Sequence, residues 1–329
     1  MQCVLNLKWL MDFKPLLRTL DVYYFCERFF IQNLLLLLLL SLCSSVASSS
    51  EVTRDDDIFP SLLRYAKLAN AAYQDVTQVK RVCKEQQLML AHDTDSVLEK
   101  VRYFIAIDHA TQTQVVAIRG TANIENAIVD IQYQLQADPH TGIYLHTGFL
   151  QATANLYEEI EPLLQKNYSI ATTGHSLGGA MALILAMNLD KNGYRVKKVV
   201  TFGQPKVTNR AGAAKFDHLP VIRVVTELDL VPIVPPFDLS DIMSFKLDIF
   251  WHLGQEYVLL PKTFYSTLTG LDSLLRGLGF LNKQPGEENL NAHRMDSYLD
   301  LLQRKAAGSI SIPFNQRQKY ISSKSLVNG

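Results

Sequence analysis

Gly174-His175-Ser176-Leu177-Gly178, followed by Gly179, is the stretch of this chain whose residue types and order most directly imply a reaction. It reads G-x-S-x-G. A β-rich run, Tyr168 to Thr173, enters it, and an Ala/Leu/Met-rich run, Leu177 to Leu189, leaves it. Strand, tight turn and helix form the setting in which a serine is held in a strained elbow with its hydroxyl above a sheet. Glycines at both ends remove the Cβ atoms that would clash in so sharp a turn. The chemistry would be nucleophilic attack by Ser176. The plainer alternative is a glycine-rich turn whose serine caps the helix, and the flanking strand and helix argue against it.

A serine hydroxyl is a weak nucleophile and needs a base that is itself oriented by a carboxylate. On an elbow of this kind the chain order is Ser, then Asp or Glu, then His. Asp229 is the best-placed acid, because it follows the strand-like run Val221 to Thr226 by a short turn and precedes Leu230-Val231-Pro232. A carboxylate just past a strand's carboxyl end lies where such sites form. An ordinary turn aspartate is the alternative. The histidines after Ser176 are His218, His252 and His293. His218 precedes Asp229 and breaks the order. His252, in Phe250-Trp251-His252-Leu253, reads as a packed histidine. His293 follows the polar loop Gln284 to Asn291 and opens the helix Arg294 to Gln303, a boundary from which an imidazole can reach the sheet edge. It is the expected base. His175 lies on the wrong side of the elbow for that task.

The developing oxyanion needs two donors. The Leu177 N–H, at the helix start, supplies one. The second is expected from Arg119-Gly120-Thr121, which ends the strand-like run Thr113 to Arg119, with Thr121 offering both N–H and hydroxyl.

These residues need a sheet to hold them. Arg102 to Asp108 and Thr113 to Arg119 read as two strands joined by the turn His109 to Gln112. Gly148 to Lys166 has helical spacing, and Val196 to Phe202 is a further strand. Alternating strands and helices predict an α/β protein. From Phe264 to Phe280, leucines at 268, 271, 275 and 278 fall at helical spacing. They read either as core or as an apolar wall for an acyl chain. The tail from Gly308 is polar.

Hydrophobic residues make up 48% of the 329 and charged residues 19%, which excludes a disordered chain. Lys plus Arg and Asp plus Glu are each 32, so no electrostatic footprint for nucleic acid exists. At the N-terminus, Arg28 precedes an apolar block containing seven consecutive leucines, Leu34 to Leu40, and Ser45-Val46-Ala47 follows. Basic, apolar and small, in that order, predict a secretory signal cut after Ala47. The alternative is an uncleaved anchor over Phe29 to Ala47. Residues 1–47 are thus expected to be a signal peptide or signal anchor, and 48–329 a single catalytic domain with a polar C-terminal tail. Of Cys3, Cys26, Cys43 and Cys83, only Cys83 would survive cleavage, so no internal disulfide could form.

GHSLGG, the earlier Arg119-Gly120-Thr121, His146 to Phe149 (HTGF) and Thr201 to Val207 (TFGQPKV) together resemble the class 3, fungal-lipase-like family of α/β hydrolases, over about Leu62 to Leu302. The resemblance implies an α/β-hydrolase fold with a mostly parallel central sheet flanked by helices. It implies a triad of Ser176, Asp229 and His293, with Thr121 and Leu177 as oxyanion donors, no metal or organic cofactor, and a lipid ester at an interface as substrate. Glu227 to Pro232 matches the family's acid motif, and His252 with Glu256-Tyr257 a second histidine segment that is not catalytic. Ile124 to Ile128 matches the short lid helix, with Ala127 where members often carry Trp. Phospholipase A1, galactolipase and acyltransferase chemistry stay open, as does a non-catalytic, membrane-bound interaction protein. The location implied is secreted or periplasmic, or membrane-anchored by Phe29 to Ala47.

Overall fold

The computed structural model describes residues 58–94, 101–121, 134–235, 249–278 and 286–321. The leucine run, the segment Ile124 to Ile128 and Phe280 lie outside the described residues. None of the described helices is long and apolar enough to cross a membrane.

The chain opens with helices α1 (Ile58–Ala71) and α2 (Val76–Glu85), the latter capped by the Asp75 side chain, which accepts from the Gln78 N–H. Strand β1 (Met89–Asp93) pairs antiparallel with β2 (Tyr103–Asp108), and β2 with β3 (Thr113–Ile118). The four-residue turn between β2 and β3 is the expected one, and the Asp108 carboxylate fixes it by accepting from the Thr111 N–H at 3.0 Å. After β4 (Leu135–Asp138) and β5 (Ile143–His146) come α3 (Thr147–Ile160), β6 (Ser169–His175), α4 (Leu177–Lys191) and β7 (Val196–Phe202). Then follow β8 (Thr208–Asn209), α5 (Arg210–Lys215), β9 (Val221–Thr226), β10 (Phe250–Trp251), β11 (Gln255–Leu259) and β12 (Phe264–Leu268). The described chain closes with α6 (Gly270–Leu278), α7 (Glu287–His293), α8 (Met295–Ala306), β13 (Ile310–Ser311) and α9 (Arg317–Ile321).

Among the described residues the main sheet has the order β1-β2-β3-β6-β7-β9-β11-β12-β13. Its centre, β3 through β11, is parallel. A smaller antiparallel sheet has the order β10-β8-β5-β4. The strand alternation shows how both faces of the main sheet are covered. On β7, Val199 packs with Leu183, Ile184 and Met187 of α4, while Val200 and Phe202 pack with Phe59 and Leu62 of α1 and Tyr298 of α8. Side chains one residue apart face opposite sides of a strand, so helices lie on both faces. Helix α4 is apolar all round and is buried on two sides, joining two core clusters. This is the α/β-hydrolase architecture the sequence implied.

One expectation changes. Phe264 to Phe280 is not one helix: Leu268 belongs to β12, and the helix starts only at Gly270. The tail from Gly308, polar in sequence, contributes to the sheet over its described part. Strand β13 extends the sheet beside β12, and Ile312 is buried.

Candidate active site

The site collects at the carboxyl ends of parallel strands, the edge at which α/β sheets bind ligands. Gly120 and Thr121 follow β3, Ser176 follows β6, Gly203 follows β7 and Asp229 follows β9. The register sets His175 beside Phe202 and Phe202 beside Val224, so these ends lie side by side.

Ser176 has φ 57° and ψ −129°. A non-glycine residue at such angles stores roughly 1–3 kcal/mol of strain. The surroundings enforce it: the Ser176 N–H donates to the Phe202 carbonyl at 2.8 Å, and the Ser176 carbonyl accepts from Gly179 N–H at 2.9 Å. The neighbouring glycines are sterically required. A Cβ on Gly174 would strike the Gly178 backbone, and one on Gly178 would strike the backbone of Ile118 and Arg119. The elbow therefore packs main chain to main chain against the end of β3. That contact sets Gly120 against Gly178, in the first turn of α4 one residue after Leu177, and Thr121, which is half-buried, follows Gly120 in the chain.

His293 Nδ1 lies 2.7 Å from Asp229 Oδ2, and both side chains are buried. The carboxylate can only accept, so Nδ1 carries the proton and Nε2 presents its lone pair. Asp229 Oδ2 also accepts from the Tyr298 hydroxyl at 2.5 Å, and Oδ1 from the Val231 N–H at 2.9 Å. Burial by itself raises the Asp229 carboxyl. The His293 charge and the hydrogen bonds from His293, Tyr298 and Val231 outweigh it and hold the acid below its usual range. Ser176 Oγ and His293 Nε2 are buried and have no hydrogen-bond partner among the described residues. Buried polar atoms are rarely left so, and a reactive pair is one reason for it.

Room for the pair comes from Gly203, at φ 59°. A Cβ there would lie 2.8 Å from Asp229 Oδ2 and 2.8 Å from His293 Cε1. Gly203 and Tyr298 were not among the residues singled out above. Glycine in TFGQP carried a signal without a role, and Tyr298 reads in sequence as one more apolar position of an amphipathic helix.

The other histidines go elsewhere. His218 Nε2 is 3.0 Å from Asp190. His252 donates from Nε2 to the Pro232 carbonyl at 2.7 Å and is held neutral by burial and by the Arg223 and Lys206 charges. The polar loop before His293 is largely the short helix α7, so His293 closes one helix and precedes the next rather than leaving a loop. On α6, Leu274 is buried while Leu271 and Leu275 are exposed. Among the described residues no cluster of three or more His, Cys, Asp or Glu side chains is arranged for a metal ion.

Comparison with known proteins turns on the same segments. The family described as Lipase (class 3) matches residues 115–239, which include Thr121, Ser176 and Asp229. Over that segment the chain is similar to class 3 lipases. A lipase from Rhizomucor miehei is 28% identical over 196 residues, covering 56% of this chain and 49% of that protein. The secreted mono- and diacylglycerol lipase 1 of Fusarium solani is 35% identical over 113 residues, covering 32% of this chain and 34% of the relative. The chain thus spans half or less of the length of these sequence relatives. The crystal structure of a lipase from Rhizopus microsporus var. chinensis matches with a TM-score of 0.54 and 29% identity, covering 65% of this chain and 79% of that one. In this lipase-like chain His293 lies beyond the matched family segment, so its place in the site rests on the 2.7 Å pairing with Asp229.

Proposed function

We propose that this protein is a carboxylic-ester hydrolase of lipid esters, acting through a Ser-His-Asp acyl-enzyme mechanism. The observation that carries the reading is the buried His293–Asp229 pair beside a serine at positive φ, with Ser176 Oγ and His293 Nε2 both unpaired. Ser176 Oγ attacks the ester carbonyl carbon while His293 Nε2 takes its proton. Asp229 holds the imidazole in the Nδ1–H tautomer and stabilises the imidazolium. The N–H groups of Thr121 and Leu177 receive the tetrahedral oxyanion. The imidazolium then protonates the departing alcohol. Water attacks the acyl-enzyme, with His293 again the base, and the fatty acid leaves.

Lipid esters are favoured over other esters by the names of the relatives, which are lipases and a mono- and diacylglycerol lipase. We also propose that residues 1–47 form a signal or anchor and that the catalytic unit works outside the cytoplasm. The basic–apolar–small order supports this, as does the word "secreted" in the Fusarium solani relative's name. The test is hydrolysis of tributyrin, monoacylglycerol, phospholipid and galactolipid by the purified full chain and by Ser176→Ala. Acylglycerol turnover that the variant lacks supports the reading. Turnover of phospholipid or galactolipid alone would reassign the substrate, and equal turnover by the variant would remove Ser176 from the mechanism.

A further inference from the structure

His175 cannot be the base for Ser176, yet it is fully buried, and it touches two parts of the site at once. Its Nε2 lies 2.7 Å from the main-chain carbonyl of His293, and its Nδ1 lies 2.9 Å from the Tyr73 hydroxyl. The His175 and His293 rings lie against each other, with centroids 4.6 Å apart. Tyr73 in turn meets the turn after β3. Its phenol oxygen lies against the Gly120 main chain, where an added Cβ would be 2.5 Å from it.

Hydrogen-bond chemistry gives this chain one direction. The His293 carbonyl can only accept, so His175 Nε2 carries the proton. Burial, with the nearby His293 charge, drops the His175 pKa to about 3, so the ring is neutral and Nδ1 is bare. Nδ1 must then accept from the Tyr73 O–H, and the same Tyr73 oxygen is the atom that meets Gly120.

We propose that Tyr73 and His175 form a positioning relay that ties the oxyanion turn at Gly120–Thr121 to the main chain of His293. It rests on the hydrolase reading above. The donor turn and the base are carried by separate elements, the end of β3 and the end of α7. With the relay, Ser176 is flanked by the residue that fixes the base. The relay touches no substrate, so its loss lowers kcat and leaves KM nearly unchanged.

The experiment uses the full chain and measures kcat and KM on p-nitrophenyl butyrate and the rate of Ser176 labelling by a fluorophosphonate. Tyr73→Phe, which keeps the ring, is expected to lower kcat and the labelling rate about tenfold, from loss of one net hydrogen bond. His175→Leu should lose more, and His175→Gln, which keeps a donor toward the His293 carbonyl, should recover most of it. In ¹⁵N NMR His175 should be the Nε2–H tautomer at every pH above its pKa. Folded Tyr73→Phe with wild-type kcat and labelling rate overturns the relay, and it decides alone if His175→Leu does not fold. An Nδ1–H tautomer overturns it too. Absence of wild-type labelling at Ser176 overturns the hydrolase reading and the relay together, whereas rapid labelling of wild type and Tyr73→Phe alike overturns the relay only.

Discussion

Two buried carboxylates on neighbouring parts of the sheet are treated in opposite ways. Glu256, on β11, is saturated: Arg223 Nη1 donates to Oε2 at 2.7 Å, Arg276 Nε to Oε1 at 2.6 Å and Ser273 Oγ to Oε2 at 2.5 Å. Around it Lys206 Nζ donates to the Ile233 and Pro235 carbonyls at 2.6 Å each, and His252 to that of Pro232. Asp229 is also fully bonded, but its chain of partners ends at a bare lone pair on His293 and an unpaired hydroxyl on Ser176. The first cluster clamps the segment that follows Asp229. Each group leaves two buried polar atoms without a partner among the described residues, Arg276 Nη1 and His252 Nδ1 in the first, Ser176 Oγ and His293 Nε2 in the second. Burial, charge and unpaired atoms alone therefore do not mark a reactive site. What distinguishes the second is that its unpaired atoms are a serine hydroxyl and the far nitrogen of an imidazole bonded to a carboxylate.

That contrast can be broken most sharply at Asp229. Asp229→Asn keeps the shape but favours the wrong His293 tautomer, and kcat is expected to fall by about 10⁴, with the melting temperature little changed. A fall of tenfold or less in a folded variant would remove Asp229 from the mechanism. The Glu256 cluster should answer the other way. Arg223→Met leaves a buried carboxylate short of one partner and should cost about 3–5 kcal/mol of stability, read from chemical denaturation. The kcat of the molecules still folded should stay within a fewfold of wild type, and a selective loss of kcat at full stability would make the two clusters alike.

The smallest expected effect is in acid. Burial raises the Glu256 carboxyl, but Arg276, Arg223 and Ser273 outweigh it and bring it to about 2, against 4.5 ordinarily. A folded-state pKa below the unfolded one means that the unfolded chain binds more protons in this window. The contribution is complete above the ordinary carboxylate range and is lost as pH falls through about 2. Denaturation of wild type below the ordinary range should steepen relative to Glu256→Gln. Equal slopes would show that Glu256 does not anchor the cluster.

Legibility in sequence followed the kind of signal each region carries. Val196 to Phe202 and Val221 to Thr226 are strands with the expected bounds, because both are short β-branched runs closed by polar residues. The Ser176 elbow was legible from its glycines and Asp229 from chain order, whereas His293 was preferred to His252 for a loop-to-helix boundary that the structure replaces with the end of α7, and only its pairing with Asp229 is observed. Tyr298, Gly203 and Tyr73 were not legible. Each acts through a long-range contact, 69 residues from Asp229 in the case of Tyr298 and 102 from His175 in the case of Tyr73. Gly203 acts by lacking a side chain. The Leu268 to Leu278 run misled because helical spacing continued backward across the β12 end, where Thr269-Gly270 breaks the chain direction. Helix α7 was hidden by its polar composition, which its capping by Asn289 explains: the Asn289 Oδ1 accepts from the Gly286 N–H at 2.9 Å.

The central claim is that the unpaired Ser176 hydroxyl is the nucleophile activated by His293. The most direct measurement is mass spectrometry of the full chain after brief reaction with a fluorophosphonate, alongside Ser176→Ala and His293→Ala. One adduct is expected, on Ser176, absent in Ser176→Ala and slowed by several orders of magnitude in His293→Ala. An adduct on another residue, or labelling of Ser176 at the wild-type rate without His293, would contradict it.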